Sequence, residues 1–262
     1  MTEGIKSHAD VSLLITHYNR SSSLERLLSA LRDLKIEFFE IIVSDDCSAE
    51  KHLRKLQELQ KEFGITLLRS PQNQGLGHNI NKGQSAVKSP FTLYVQEDFV
   101  PYPLFKEKLC DAKRFMEEDP DLDLVRFYAF VDYPEKKDFA CGFSELIFTW
   151  RNPSHLKFYK YSDHPHLRRT SFQDKFGKYI EGRPGDETEF DMSLRFLKRN
   201  GKALFYREFS SLFDHSNPSH EPSTMDRVKW TESKNGFVLF LRFFYLRFRW
   251  LKNTFQLLTY RS

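Results

Sequence analysis

The stretch FTLYVQED, residues 91–98, decides how the chain is read. Phe91, Leu93, Tyr94 and Val95 favour an extended, buried strand. Pro90 and Pro101 bracket it, because proline cannot donate to a strand ladder. The strand ends on Glu97 and Asp98. In an open α/β sheet, ligands bind beyond the carboxyl ends of the strands, so both carboxylates stand at the rim of a cleft. Acidic groups there repel a bare diphosphate unless a divalent cation intervenes, and Mg²⁺ is commonly held by only one or two carboxylates plus phosphate oxygens. Strands also often end on acidic residues with no further role, so the rest of the chain has to decide.

Upstream, strands and helices alternate. VSLLIT (11–16), EIIVS (40–44) and ITLLR (65–69) are short runs of strand formers. Ser22 and Glu25 are spaced as a capping box, and Leu24, Leu27, Leu28 and Leu31 follow at helical spacing. A second helix is expected over 49–63, with Leu53, Leu56 and Leu59 inward, Ser48 as its cap and Gly64 as its stop. A third is expected over roughly 78–87. This order predicts a mostly parallel sheet with right-handed crossovers. Three polar loops then fall at carboxyl ends of strands: 16–20, 44–48 and 96–99. Two of them carry acidic pairs, Asp45-Asp46 and Glu97-Asp98, whereas a helix cap requires only one aspartate.

The 262 residues are 40% hydrophobic and 29% charged, a globular composition with room for one sizeable α/β domain and a small appendage. A net charge of +4 is too mild to argue for nucleic acid. Cys47, Cys110 and Cys141 show neither metal-ligand spacing nor C-x-x-C and read as reduced thiols of a cytoplasmic protein. The first ten residues lack the apolar run of a signal peptide. No charge-free apolar run is long enough to predict a membrane span.

VSLLITHYNR, EIIVSDDCS, NQGLGHNINKG and YVQED together resemble the nucleotide-binding half of a family 2 glycosyltransferase with the GT-A fold. The matching positions are Thr16, Tyr18, Asn19 and Arg20; Asp45, Asp46 and Ser48; Asn73, Gly75, Gly77, Asn81 and Gly83; and Asp98. They cover roughly residues 10–100. The resemblance implies that Asp46, with Asp45 beside it, meets the base of a nucleotide-diphosphate sugar. It places Tyr18 and Arg20 on the base and ribose side, and Asp98 on a divalent cation, Mg²⁺ or Mn²⁺. Two positions depart from the pattern. Gln96 stands where the D-x-D motif begins, leaving Glu97 to take a second acidic contact. Cys47 stands where glycine is common, and a side chain there disfavours positive φ. Gly75-Leu-Gly-His-Asn-Ile begins like a dinucleotide fingerprint but lacks the third glycine, and SPQNQ separates it from its strand, which argues against an oxidoreductase.

In the second half, residues 103–118 read as a helix and 122–131 as a strand. Tyr161-Ser-Asp-His-Pro-His is an acceptor contact or, more simply, a surface loop; His164 and His166 are not at a compelling metal spacing. A helix over 189–200 carries Asp186, Glu187 and Glu189 at its start, where acids also favour a helix dipole. The family shows E-D-x-D-L-x-x-R here. Alignment on Arg195 puts Glu189 at the catalytic acid and Asp191 at the next one, with Glu187 and Asp186 as fallbacks. By the same resemblance His215 contacts metal or diphosphate.

Residues 236–262 contain no acid. On a helix, Arg242, Arg249, Lys252, Asn253 and Gln256 share one face; Phe237, Leu241, Phe244, Phe248, Leu251 and Phe255 share a broader apolar one, broken by Arg247. Such a helix is buried on its own domain or in a homodimer, or lies on an anionic bilayer. The expectation is a GT-A domain over 1–232, with nucleotide and acceptor halves near 10–100 and 101–232, followed by a basic-aromatic helix over 233–262. Its activity would be inverting, metal-assisted sugar transfer to a saccharide or lipid-linked acceptor at the cytoplasmic face of the membrane. The other reading is a catalytically weak domain in a polysaccharide assembly complex. A nucleotidyltransferase would need a glycine-rich, basic loop after the first strand, and HYNRSSS is not one.

Overall fold

The strand of FTLYVQED is β4, Phe91–Gln96, flanked by β1, His8–His17, and β9, His166–Arg169. The computed structural model describes residues 8–215, 221 and 236–260, and side chains for 10–215, 221 and 240–260. β4 runs parallel to β1, from Val11↔Phe91 to Thr16↔Gln96. Beside β1 lie β2, Phe38–Asp45, and β3, Thr66–Arg69, also parallel. Beyond β9 come β6 (Leu122–Arg126), β10 (Lys202–Tyr206), β8 (Phe143–Leu146) and β7 (Lys136–Asp138). The nine-stranded order is β3-β2-β1-β4-β9-β6-β10-β8-β7. Only β9 and β8 run against the common direction, so the mostly parallel sheet expected from the sequence is present.

Successive strand residues face opposite layers. Leu13, Ile15, Leu93 and Val95 pack with leucines of α1 (Ser21–Asp33) and α2 (Glu50–Phe63) and with Phe105 and Leu109 of α4 (Leu104–Glu118). Leu14, Ile42 and Tyr94 face the other layer, with Ile80 of α3 (Gly75–Gln84) and Met192 and Phe196 of α6 (Gly185–Lys198). A small ribbon joins β5, Phe99–Pro101, to β11, Phe213–His215, with His215 opposite Phe99. That pairing returns the chain, more than a hundred residues later, to the end of β4.

Several local expectations are corrected. The capping box does not form: Arg20 is the N-cap of α1, and Glu25 pairs with Lys55 at 2.8 Å. Ala49, not Ser48, caps α2, because the Ser48 hydroxyl is turned to Asp45. α3 begins at Gly75, where a φ of +83° suits glycine. α6 begins one turn early, right after Pro184, whose fixed φ suits the start of a helix. β6 stops at Arg126; Phe127 leaves the sheet to pack edge-on against Phe105, 5.2 Å between ring centres. Cys47 adopts φ +64° despite its Cβ.

Gly77 is where α3 touches the second half of the chain, at Ile180. A Cβ there would lie 2.1 Å from the Ile180 carbonyl oxygen. Asn81, one turn on, clamps the same segment: its Nδ2 donates to the Tyr179 carbonyl at 2.9 Å and its Oδ1 accepts from the Tyr179 N–H at 2.9 Å. Gly77→Ala is therefore expected to destabilise by roughly 1–3 kcal/mol, a melting-point fall of at least about 2 °C in a chain of this size. An unchanged melting curve would show that residues 179–181 can retreat freely.

The C-terminal helix α7, Gly236–Thr259, packs on α6 and on the 3₁₀ turn His155–Phe158. Leu257 is buried against Phe158 and Leu194. Lys157 is fully buried; its Nζ donates to the carbonyls of Thr149 and Trp150, and the rings of Phe148, Phe158 and Trp250 surround it. Much of the helix's apolar surface is nevertheless left outside. Asn253 is buried, while Leu241, Phe244, Phe248, Leu251 and Phe255 are exposed. Phe237 and the 232/233 boundary lie outside the described side chains.

Candidate functional site

The three loops expected at the strand ends converge. Asp98 is 5% exposed. Its Oδ2 accepts from Arg20 Nη1 at 2.7 Å and lies 3.1 Å from His215 Nε2. Its Oδ1 is buried and has no hydrogen-bond partner among the described residues. The His215 ring rests on Phe99 and Phe130, at 4.9 and 5.0 Å between ring centres. Arg20, expected on the base and ribose side, lies against the acids, 3.8 Å from Glu97. Burial first, then the neighbouring Asp98 charge, push Glu97 up to about 8 against the pull of Arg20. Burial acts on Asp98 in the same sense, but the His215 ring and the Arg20 guanidinium outweigh it and hold Asp98 below its usual range.

Asp45 is fully buried, bonded to His17 Nδ1 at 2.8 Å and to the Ser48 N–H at 3.0 Å. It fixes the loop from within. Asp46, 3% exposed, accepts from the N–H groups of Gln74 and Gly75 at 3.0 and 2.8 Å, binding this loop to the start of α3. Asn73 Oδ1 accepts from the same Gly75 N–H at 3.1 Å. Tyr18 is half-buried at the loop; Thr16 is buried and shares a 3.0 Å hydrogen bond with the Tyr94 hydroxyl. Asn19 takes φ +56°, a conformation asparagine tolerates. Its Oδ1 accepts from the Ala49 N–H at 2.8 Å.

Of the three acids at the start of α6, Asp186 and Glu187 are exposed, and Glu187 reaches only Arg183, at 4.0 Å. Glu189 turns inward. Its Oε1 accepts from the Ser162 hydroxyl at 2.6 Å and the Asp163 N–H at 3.3 Å. Asp191 is occupied elsewhere, by Arg195 and by the Tyr260 hydroxyl, each at 2.6 Å. The segment from Tyr161 to Asp163 is thus not a surface loop: all three residues are buried. Burial, followed by the charge and hydrogen bond of Glu189, raises Asp163 well above the usual carboxylate range. Gln96 Nε2 donates to Asp163 Oδ2 at 3.2 Å. An aspartate at 96 would press a third carboxylate on this pair, whereas glutamine supplies a donor. This is a physical account of the departure at the D-x-D motif. It also connects the strand end that carries Asp98 with the α6 acid.

With this geometry in place, comparison with known proteins is specific. The family model "Glycosyl transferase family 2" matches residues 12–170. The chain belongs to that family. An uncharacterised glycosyltransferase of Haemophilus influenzae is 29% identical over 117 residues, 44% of this chain and 37% of that protein. The hyaluronan synthase of Pasteurella multocida is 28% identical over 150 residues, 55% of this chain and 15% of that one. This chain thus spans well under half the length of these relatives. Among solved structures, residues 1–349 of Staphylococcus aureus TarS superpose with a TM-score of 0.58 at 18% identity, covering 80% of this chain and 61% of that one. A Pyrobaculum calidifontis mannosyltransferase in complex with GDP-Man and Mn²⁺ gives 0.52 at 14% identity, covering 80% and 57%. The GT-A fold is shared with these neighbours.

In this family 2 chain the residues that the motifs missed are His17 and Glu221, while Asp163 lies in the stretch read as an acceptor contact or a surface loop. His17 stands at the unread position of the first motif. The Glu221 carboxylate accepts from the N–H and hydroxyl of Ser22 at 2.9 and 2.8 Å and of Ser23 at 2.9 and 2.7 Å, and its own carbonyl oxygen lies 3.3 Å from Arg20 Nη2. It supplies the cap that the α1 sequence lacks. Burial alone would raise Glu221, but the Ser23 and Ser22 bonds overcome it and bring the carboxyl down to about 2. A carboxyl depressed in the folded state stabilises fully above its unfolded value near 4.5 and loses that contribution as pH falls toward 2. Glu221→Gln is expected to lower the melting temperature at pH 7 and to narrow the gap from the parent as pH falls from about 4.5 to 2. A gap that stays constant over that range would contradict this account.

Among the described residues no group of three or more His, Cys, Asp and Glu side chains could hold a metal ion. Two protein ligands nevertheless suffice where a diphosphate supplies further oxygens. The bare, buried Oδ1 of Asp98 beside His215 fits such a cation.

Proposed function

We propose that the chain is an inverting glycosyltransferase that takes a sugar from a nucleotide diphosphate, with a divalent cation at Asp98 and His215. The observation that carries this reading is the join at the end of β4: His215 bonds Asp98, whose other oxygen is buried and has no partner among the described residues. A cation bound there would neutralise charge on the leaving diphosphate. Glu189 accepts the proton of the acceptor hydroxyl, Ser162 and Asp163 hold its carboxylate in place, and the hydroxyl oxygen attacks the anomeric carbon in one displacement. Asp46, Tyr18 and Glu97, at the same sheet edge, take the base and ribose, with Gly75 and Asn73 shaping the loop that Asp46 holds. The TarS and mannosyltransferase neighbours were solved with UDP-GlcNAc and GDP-Man, respectively. The test is a thermal-shift screen of UDP, GDP and their sugars with and without Mn²⁺ or Mg²⁺, since a ligand that binds the native state raises its melting temperature. A shift larger with metal supports the reading. No shift with any nucleotide would remove it, together with the alternative of a catalytically weak nucleotide-sugar-binding partner. That alternative rests on Arg20, which already occupies Asp98 Oδ2.

We propose further that α7 lies on an anionic bilayer and brings the enzyme to a lipid-linked acceptor at the cytoplasmic membrane face. Phe240, Phe244, Leu251, Phe255 and Leu258 are each more than half exposed, and the described helix carries Arg242, Arg247 and Lys252 with no acid. Exposed aromatics beside cations suit an interfacial helix. No described helix is long and apolar enough to cross a membrane. Phe244→Ser with Phe255→Ser is expected to lower sedimentation with phosphatidylglycerol vesicles at least about fivefold, since each removed aromatic forfeits buried apolar area. Unchanged sedimentation, or a dimer that the double variant splits, would assign this face to a second copy of the chain.

A further inference from the structure

α6 and α7 leave a cleft of about 1060 Å³ between them. Glu189 lines one wall, next to Phe190 and Tyr159, whose rings lie 5.4 Å apart. Asn253 and Gln256 of α7 line the other. Asn253 is 4% exposed, yet among the described residues its Nδ2 has no hydrogen-bond partner, and neither has Gln256 Oε1. A buried amide left unpaired is costly, so such groups call for a partner. The two atoms differ in kind, since one donates and the other accepts.

These features narrow the ligand. An apolar molecule would leave both amide atoms unpaired. The charges are mixed, with Asp186, Glu187, Glu189 and Asp191 set among Arg183, Arg249 and Lys252, so the lining favours neither an anion nor a cation over a neutral ligand. A neutral molecule dense in hydroxyls satisfies donor and acceptor alike, because each hydroxyl is both, and the apolar face of a pyranose ring can lie on Tyr159 or Phe190. The volume is at the upper end of the roughly 300–1,000 Å³ typical of small-molecule clefts, which leaves room for more than one sugar unit. We propose that this cleft is the saccharide-acceptor site, with Asn253 and Gln256 reading hydroxyls and α7 as its outer wall. The assignment rests on the glycosyl-transfer reading, since it places the reacting hydroxyl beside Glu189. It also gives α7 two working faces: the polar one holds the acceptor, and the apolar one is left for the bilayer.

The test is saturation-transfer NMR with a fixed set of probes: methyl α- and β-glycosides of glucose, galactose, mannose and N-acetylglucosamine, and their β-1,4-linked disaccharides. Parent protein, Asn253→Leu and Gln256→Leu are compared, with circular dichroism as the check on folding and the nucleotide thermal shift run in parallel. At least one probe is expected to show transfer in the parent and to bind about five- to tenfold more weakly in each folded variant, the loss of one hydrogen bond apiece. The nucleotide shift is expected to be the same in all three. If no probe shows transfer, or if transfer is equal in parent and variants, the cleft is only a solvent-filled groove and the assignment is overturned. If glycoside transfer behaves as expected but no nucleotide shifts the parent, the cleft stands as a saccharide site and the glycosyl-transfer reading is what fails.

Discussion

Glu189→Gln is expected to bind donor within about twofold of the parent and to lose roughly 10²–10⁴ in transfer rate, the usual cost of removing a general base. Glutamine is nearly isosteric and still accepts from Ser162, which bonds Glu189 Oε1 at 2.6 Å, but it cannot take a proton at neutral pH. Asp186 and Glu187 are exposed at the same helix start. Asp186→Asn and Glu187→Gln are therefore expected to turn over within a few-fold of the parent. Donor affinity measured beside turnover for the three variants decides the matter. Loss in Glu187→Gln with a near-normal Glu189→Gln would mean that the base is Glu187 and that the inward turn of Glu189 is only packing.

Asp98→Asn is expected to abolish the metal-dependent part of nucleotide binding while the fold persists. Asparagine keeps the size of the side chain but removes the charge a hard cation needs. Removing one partner of a buried ion pair strands the other. Here Arg20 retains Glu97 at 3.8 Å, whose ionisation becomes easier once the adjacent Asp98 charge is gone. Calorimetric titration of UDP and GDP with and without Mn²⁺ reads the effect. A variant that keeps the parent's response to Mn²⁺ would show that Asp98 is not a ligand.

The first half of the chain was legible because its signals are local. Apolar runs, leucines at helical spacing and acids at strand ends all lie within a few residues of what they specify, and the structure places three of those loops together. The second half was less so, because its decisive contacts span long separations. Nothing near Ser22 announces that Glu221 will cap α1, and nothing in Tyr161–Asp163 tells a buried segment from a surface loop until Glu189 is seen against it. Gln96 reads as a weakened motif when taken alone and as a matched donor once Asp163 faces it. For α7, the wheel grouped Asn253 with Arg242 and Lys252, but Asn253 is buried beside Leu257 while Arg242 and Lys252 stay exposed; a helical pattern cannot say which face the rest of the chain will take. Asn253 went inward and Phe255 outward because the polar face had a cleft to line. Cys47 shows the opposite limit: a side chain that disfavours positive φ is carried there by its surroundings.

The central claim is a single displacement at a donor held at the Asp98 edge, with Glu189 as base. Its most direct test is proton NMR of the sugar first released when the protein hydrolyses an α-linked nucleotide sugar in the presence of Mn²⁺ and without acceptor, recorded before mutarotation. Water activated by Glu189 attacks from the opposite face. The account therefore predicts that the β-anomer appears first and that Glu189→Gln abolishes its release. An α-anomer appearing first, or release undiminished in Glu189→Gln, would contradict it.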